Sequence, residues 1–207
     1  MIEIALRIVA AYLLGSLNGS LLLGRWRGVD IRTMGSGNAG GTNALRTQGL
    51  RFALGVVSID VLKGALAVAW IGHGVPQADQ WLPEVCGAAA IVGHVYPIFH
   101  GLRGGKGAAT TVGVVAALAP LLLLPAIGIW LTAIAVAGYV GLATMLAACA
   151  LPIAAVAFGA AWYSARVVVL CAVALFIVYT HRSNIRRMLN GTEPRTRRLW
   201  LLGRGRT

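Results

Sequence analysis

The sequence predicts an all-α integral membrane protein with seven transmembrane helices, its N-terminus outside and its C-terminus in the cytoplasm. Three observations carry this. Of the 207 residues, 58% are hydrophobic and only 12% are charged, whereas a soluble domain is about a quarter charged. The apolar residues fall in runs near 2–23, 53–73, 84–99, 108–124, 125–140, 142–161 and 165–181, and about 20 such residues cross a bilayer as a helix. The basic residues gather in the polar stretches between runs, as they do in cytoplasmic loops. The length suits one compact unit, so residues 1–207 are taken as a single membrane-embedded domain.

The first run, "MIEIALRIVAAYLLGSLNGSLLLG", carries Glu3 before its first arginine and is long for a signal peptide. It is taken as a retained first helix. The loop after it holds Arg25, Arg27, Arg32, Arg46 and Arg51; the loop after the third run holds Arg103 and Lys106. The tail holds Arg182, Arg186, Arg187, Arg195, Arg197 and Arg198, while the connector "GHGVPQADQWLPE" is acidic by comparison. Both loops and the tail are therefore expected inside. Between Lys106 and the tail the chain crosses an even number of times. The apolar stretch there is long enough for four helices, with breaks expected at Pro125 and around Gly138–Gly141. Five helices in all remain open if part of this stretch is re-entrant. The formal net charge of +12 raises nucleic acid as a partner, but that needs a solvated basic face, which loops between apolar runs do not make. Cys86, Cys149 and Cys171 lie in apolar runs without CxxC pairing and are expected as small core residues.

Three polar islands face the cytoplasm. The first, "GSGNAGGTNALR", combines Gly35, Gly37, Gly40 and Gly41 with Ser36, Asn38, Thr42, Asn43 and Arg46. Glycine-rich turns aim successive N–H groups at one point and attract anions. The side chains add donors, and Arg46 adds a guanidinium fork. The second island, "GHVYPIFHGLRGGKGAAT", sets Gly104, Gly105 and Gly107 around Lys106 and leads directly into an apolar helix. A glycine turn at a helix N-terminus is an anion site, although the glycine spacing is not that of a Walker A loop. His94 and His100 are taken as packing residues. The third island, "THRSNIRRMLNGTEPR", puts His181 and Asn184 on one side of a helix that extends the last run. Glu193, the only acid of the tail, is expected to tie it to an arginine, and Arg197, Arg198, Arg204 and Arg206 to rest on anionic lipid.

The chain holds sixteen arginines and two lysines, Lys63 and Lys106. Where charge alone suffices arginine serves, so these two positions point to a need for a compact ammonium. Lys63 lies one helical turn after Asp60 inside the second run. The pair is either an internal ion pair or part of a functional site. There is no GxSxG elbow, no HxxxxD and no metal-ligand cluster. The chemistry is expected to rest on donors, without a metal or other cofactor.

In their order and on the same side of a small membrane protein, the three islands resemble the three motifs of the bacterial acyl-phosphate:glycerol-3-phosphate acyltransferase family (PlsY). "GSGNAGGTNALR" differs from the usual first motif at Gly41, where alanine is usual. "GLRGGKGAAT" has Leu102 where an aromatic residue is usual, "HRSNIRRMLNGTEP" matches throughout, and "DVLKG" matches the second helix. The resemblance implies transfer of an acyl group from acyl phosphate to glycerol 3-phosphate, in the bacterial inner membrane with the site facing the cytoplasm. It implies Ser36, Arg46, Lys106, His181 and Asn184 as catalytic residues. Substrate contacts are implied at Gly35, Gly37, Asn38, Gly40, Thr42, Asn43, Lys63, Gly104, Gly105 and Gly107. Asp60 and Glu193 are implied as structural. Family members often carry serines before the sixth helix; here "GYVGLATM" offers only Thr144 as a hydroxyl for that substrate contact. The implied partners are the two phosphate substrates and membrane lipid, with no nucleic acid, and the oligomeric state is left open. A transporter for an organic phosphate, or a lipid-phosphate phosphohydrolase, would use similar anion sites.

Overall fold

The structure is a computed structural model that describes residues 1–196. The terminal arginines Arg197, Arg198, Arg204 and Arg206 lie outside the described residues. Among those described, every regular element is helical. The chain divides into two compact units, Met1–Ala119 and Pro120 onward.

The first unit comprises α1 (Ile2–Gly15), α2 (Gly19–Trp26), α3 (Gly41–Gln48), α4 (Leu50–Leu66), α5 (Leu82–Val95) and α6 (Ala108–Leu118). α4 runs on through a π-helical turn, Ala67–Ile71. α1 packs on α5, and α4 on α6. Within a membrane, helices associate by close packing of small residues, and glycines supply it here. A Cβ on Gly64 would collide with the Thr110 carbonyl, and one on Gly113 with that of Val61. One apolar cluster joins Ala11, Ala67, Leu82, Cys86 and Ala90; a second joins Ile31, Ala44, Phe52, Ala53 and Val56, seating the first island on α4. Arg7 donates to the carbonyls of Ile71 (2.9 Å) and His73 (2.5 Å), closing the C-terminal end of the π turn.

The second unit comprises α7 (Leu123–Ala137), α8 (Val140–Ala157), α9 (Ala165–Thr180) and α10 (Arg182–Leu189). α8 packs against both α7 and α9. Gly138 ends α7 in the left-handed region (φ 76°), as glycine commonly does after a helix.

Three details differ from expectation. The first run is not one helix: α1 and α2 meet at 48° across Ser16–Asn18. Asn18 caps α2, its side chain accepting from the Leu21 N–H at 3.2 Å. The division after the fourth run falls at Ala119–Pro120, not at Pro125. Proline disfavours helical torsions in the residue before it, whereas Pro125 sits in the first turn of α7, where it is tolerated. Cys86 is buried, but Cys149 and Cys171 are exposed on apolar helices, positions at home against hydrocarbon.

Four segments are long and apolar enough to cross a membrane: Leu50–Ile71, Leu82–His100, Pro120–Ala137 and Val140–Ala157. Two bent pairs, α1 with α2 and α9 with α10, bring the count to six. α6 is a shorter apolar helix of 11 residues.

Candidate active site

The first island is organised around Asn43, which is almost fully buried. Its Oδ1 accepts from the Ser36 N–H at 2.9 Å, and its Nδ2 donates to Ile31 O (3.1 Å) and Met34 O (2.9 Å). This amide shapes the loop from within. Gly35 and Gly37 take positive φ (57° and 71°), which lets the chain fold tightly around it. Gly40, half-buried beside Asn38, caps α3. Ser36, Thr42 and Arg46 are exposed, the last two on α3. The opening turn of any helix leaves backbone N–H groups without intrahelical acceptors, so α3 presents donors beside these side chains.

In the second island the donors are arranged differently from expectation. The N–H groups of Gly104 and Gly105 do not line an open nest. They donate to Val95 O (3.0 Å) and His94 O (3.2 Å), closing the C-terminal end of α5. The anion-attracting end is the N-terminus of α6, capped by Gly107 in the left-handed region (φ 88°). Lys106 precedes it, half-buried. The two islands meet: a Cβ on Gly105 would lie 2.6 Å from Ala39 O. Only glycine permits this approach, which sets the openings of α3 and α6 side by side.

Beneath the meeting point lies a buried charged cluster. Lys63 Nζ is 2.9 Å from Asp60 Oδ1, 2.9 Å from His94 Nδ1 and 3.1 Å from Leu17 O. These three acceptors match the three hydrogens of an ammonium. The Gly19 N–H donates to Asp60 Oδ1 at 3.0 Å. Leu17 lies in the α1–α2 break and Gly19 opens α2, and backbone groups freed inside a bilayer must find protein partners. Asp60 and Lys63 supply them. The sequence left Lys63 open between an internal ion pair and a substrate contact; here the ion pair is formed, and three protein acceptors surround its ammonium. His94, taken as a packing residue, belongs to the cluster. Its Nδ1 also lies 3.3 Å from Asp60 Oδ1. Because an ammonium can only donate, Nδ1 accepts from Lys63, and the carboxylate contact is not a hydrogen bond.

Arg32 was not singled out as a site residue, yet it straps the two islands together. Its Nη1 donates to His100 O (2.9 Å) and Arg103 O (3.2 Å), just ahead of Gly104. Asp30 holds the fork with contacts of 2.8 and 3.0 Å. The hydrogen bond from Arg32 keeps the Asp30 carboxyl below its usual range, and Asp30 in turn raises Arg32. A carboxyl lowered by folding contributes stability that is present above its unfolded pKa and lost as pH falls through the folded value. Hydrogen exchange of the amides at 98–105, corrected for intrinsic rates, is therefore expected to stay constant from about pH 8 to about pH 5, well above an ordinary carboxyl pKa. Asp30→Asn is expected to speed it at every pH. Parental protection that fades by pH 6 would show that this pair does not hold the loop.

In the second unit, His181 forms the 51° bend between α9 and α10. Its Nδ1 lies 2.8 Å from Ile177 O. A carbonyl only accepts, so the ring proton sits on Nδ1 and Nε2 is the basic nitrogen. Asn184, one turn on and also buried, donates to Glu193 Oε1 at 2.6 Å, while Arg187 Nε donates to Oε2 at 2.6 Å. Asn184 packs against Gly141, where a Cβ would lie 2.9 Å from its amide nitrogen. Thr144 donates to Val140 O (2.9 Å) and accepts from Trp130 (3.3 Å).

The profile of the family described as glycerol-3-phosphate acyltransferase matches residues 5–191. The chain belongs to this family. A glycerol-3-phosphate acyltransferase of Halalkalibacterium halodurans is 42% identical over 192 residues, covering 91% of this chain and 93% of that protein. One of Geobacter sulfurreducens is 41% identical over 187 residues, covering 89% and 93%. Two crystal structures of PlsY (YgiH), an integral membrane glycerol 3-phosphate acyltransferase, share the fold. Its glycerol 3-phosphate form matches with a TM-score of 0.81 at 33% identity, over 93% of this chain and 94% of that one. Its lysophosphatidic acid form matches with a TM-score of 0.82 at 33% identity, over 96% and 98%. The chain is a multi-pass integral membrane protein, helical in every regular element among the described residues.

Proposed function

We propose that this acyltransferase moves a fatty acyl group from acyl phosphate to the 1-hydroxyl of glycerol 3-phosphate, giving 1-acyl-glycerol 3-phosphate and inorganic phosphate. The observation that carries this is the contact of Gly105 with Ala39 O, which sets two helix N-termini side by side. Both substrates are phosphates, and paired N-terminal dipoles with Lys106 and Arg46 nearby in sequence suit two phosphate groups. The PlsY structures, in glycerol 3-phosphate and lysophosphatidic acid forms, support an acceptor and a product of this kind.

Acyl phosphate is a mixed anhydride with a good leaving group. The glycerol oxygen attacks the acyl carbon, the bond from that carbon to the phosphate oxygen breaks, and phosphate departs with the electron pair. Ser36, Thr42, Arg46 and Lys106 neutralise and align the phosphates. His181 Nε2, or the substrate's own phosphate, takes the hydroxyl proton, and Asn184 orients the glycerol. Gly35, Gly37, Asn38, Gly40, Gly104 and Gly107 shape the phosphate-binding loops. The family profile runs through both units, residues 5–191, so we take 1–207 as a single acyltransferase domain. The assay is purified protein with acyl phosphate and glycerol 3-phosphate, with and without EDTA. Phosphate and lysophosphatidate are expected in equal amounts, undiminished by EDTA. Phosphate release without lysophosphatidate, or equal turnover with acyl-CoA, would overturn the assignment.

The arginine distribution supports seven crossings, counting the short α6, in the bacterial plasma membrane with a cytoplasmic site. Cysteines introduced beside Arg32, Arg103 and Arg195 are expected to react with impermeant reagents from the cytoplasmic side only; labelling of any one from the outside would reverse this orientation.

A further inference from the structure

We propose that His94 is a positioning residue: held by the buried Asp60–Lys63 pair, it seats the junction of the two glycine islands and thereby sets the aim of the α6 N-terminus at a substrate phosphate. The inference rests on the acyltransferase reading above and names a residue that acts through the loop rather than on the substrate.

His94 lies near the C-terminal end of α5 and is almost completely buried. Its two ring nitrogens face different partners. Nδ1 accepts from Lys63 Nζ at 2.9 Å, which leaves the ring proton on Nε2. Nε2 borders Gly105: the space a Cβ would fill there is closed on one side by this nitrogen and on the other by Ala39 O. Its backbone carbonyl accepts from the Gly105 N–H at 3.2 Å. Gly105 is thus gripped by one residue through both main chain and side chain. Two residues later Gly107 opens α6. A further link enters from the other side, where Asn18 Nδ2 donates to Ala39 O at 3.2 Å. A buried polar chain therefore runs from the α1–α2 break through Lys63 and His94 to the loop bearing Lys106. Phosphate recognition depends on donors held within fractions of an ångström, and a rigid ring packed under glycine provides such a stop.

His94→Asn keeps an amide oxygen facing Lys63 but withdraws the atom under Gly105. It is expected to raise KM for at least one of the two phosphate substrates more than fivefold, by a larger factor than kcat falls. His94→Gln, whose longer side chain returns an amide to the Nε2 position, is expected to bring KM back within fivefold of the parent. Gly105→Ala presses on the same contact from the loop and is expected to raise KM more than fivefold, by a larger factor than kcat falls; it decides the matter if His94→Asn does not accumulate. Parental KM values for both substrates in His94→Asn, or in Gly105→Ala, would overturn the proposal, as would a loss confined to kcat. An inactive parental enzyme in the same assay would instead overturn the acyltransferase reading itself.

Discussion

Lys106→Ala is expected to lose about 30- to 1000-fold in turnover, equivalent to roughly 2–4 kcal/mol of transition-state stabilisation. Negative charge grows on the phosphate as it leaves, and an ammonium at the opening of α6 adds to the helix dipole there. Lys106→Arg is expected to recover only part of the loss. The loop cannot widen for a guanidinium, because Gly105 is wedged between His94 and Ala39 O and the N–H groups of Gly104 and Gly105 are tied to α5. The compact ammonium fits a turn that the planar fork does not. Single-turnover rates with saturating acyl phosphate measure the effect. Turnover of Lys106→Ala within threefold of the parent would remove this residue from the chemistry.

Lys63→Met is expected to destabilise the folded protein by about 3–5 kcal/mol, the usual cost of removing one partner from a buried ion pair. Both side chains are almost inaccessible, at 2% and 1% exposure. Asp60 Oδ2 already lacks a hydrogen-bond partner, so losing Lys63 leaves a buried carboxylate without its cation, with only the Gly19 N–H and the His94 ring beside Oδ1. The Leu17 carbonyl loses its donor as well. Adding Asp60→Asn removes the stranded charge while keeping an acceptor for the Gly19 N–H. The double variant is therefore expected to be more stable than Lys63→Met alone, though below the parent. Denaturation in detergent compares the three. A single variant as stable as the parent would mean that the pair does not support the helix break.

The helical membrane architecture was legible because hydropathy alone reports it: each apolar run overlaps a helix. The break at Ser16–Asn18 was hidden by its apolar flanks, although Asn18 between Leu17 and Gly19 is a helix-start signal. The Asp60–Lys63 contact follows from one-turn spacing within a single helix. What joins them to His94, and Gly105 to Ala39, depends on how α4 and α5 pack, which no local pattern encodes. Asn43 shows the same limit. Its residue type suggested a donor to an anion, whereas its amide is engaged in building the loop. The roles of Gly104 and Gly105 changed likewise, since the carbonyls they meet belong to the end of a different helix.

The broken first helix has a consequence for biogenesis. The partners of Gly19 N–H and Leu17 O stand 41 and 46 residues further along the chain. When α1 and α2 first reach the membrane during synthesis, Asp60 and Lys63 have not yet followed them. An unsatisfied backbone group in hydrocarbon costs several kcal/mol, so the opening segment cannot settle into lipid by itself. It must wait beside water or the insertion machinery until α4 arrives, which makes α1, α2 and α4 a single step of membrane integration.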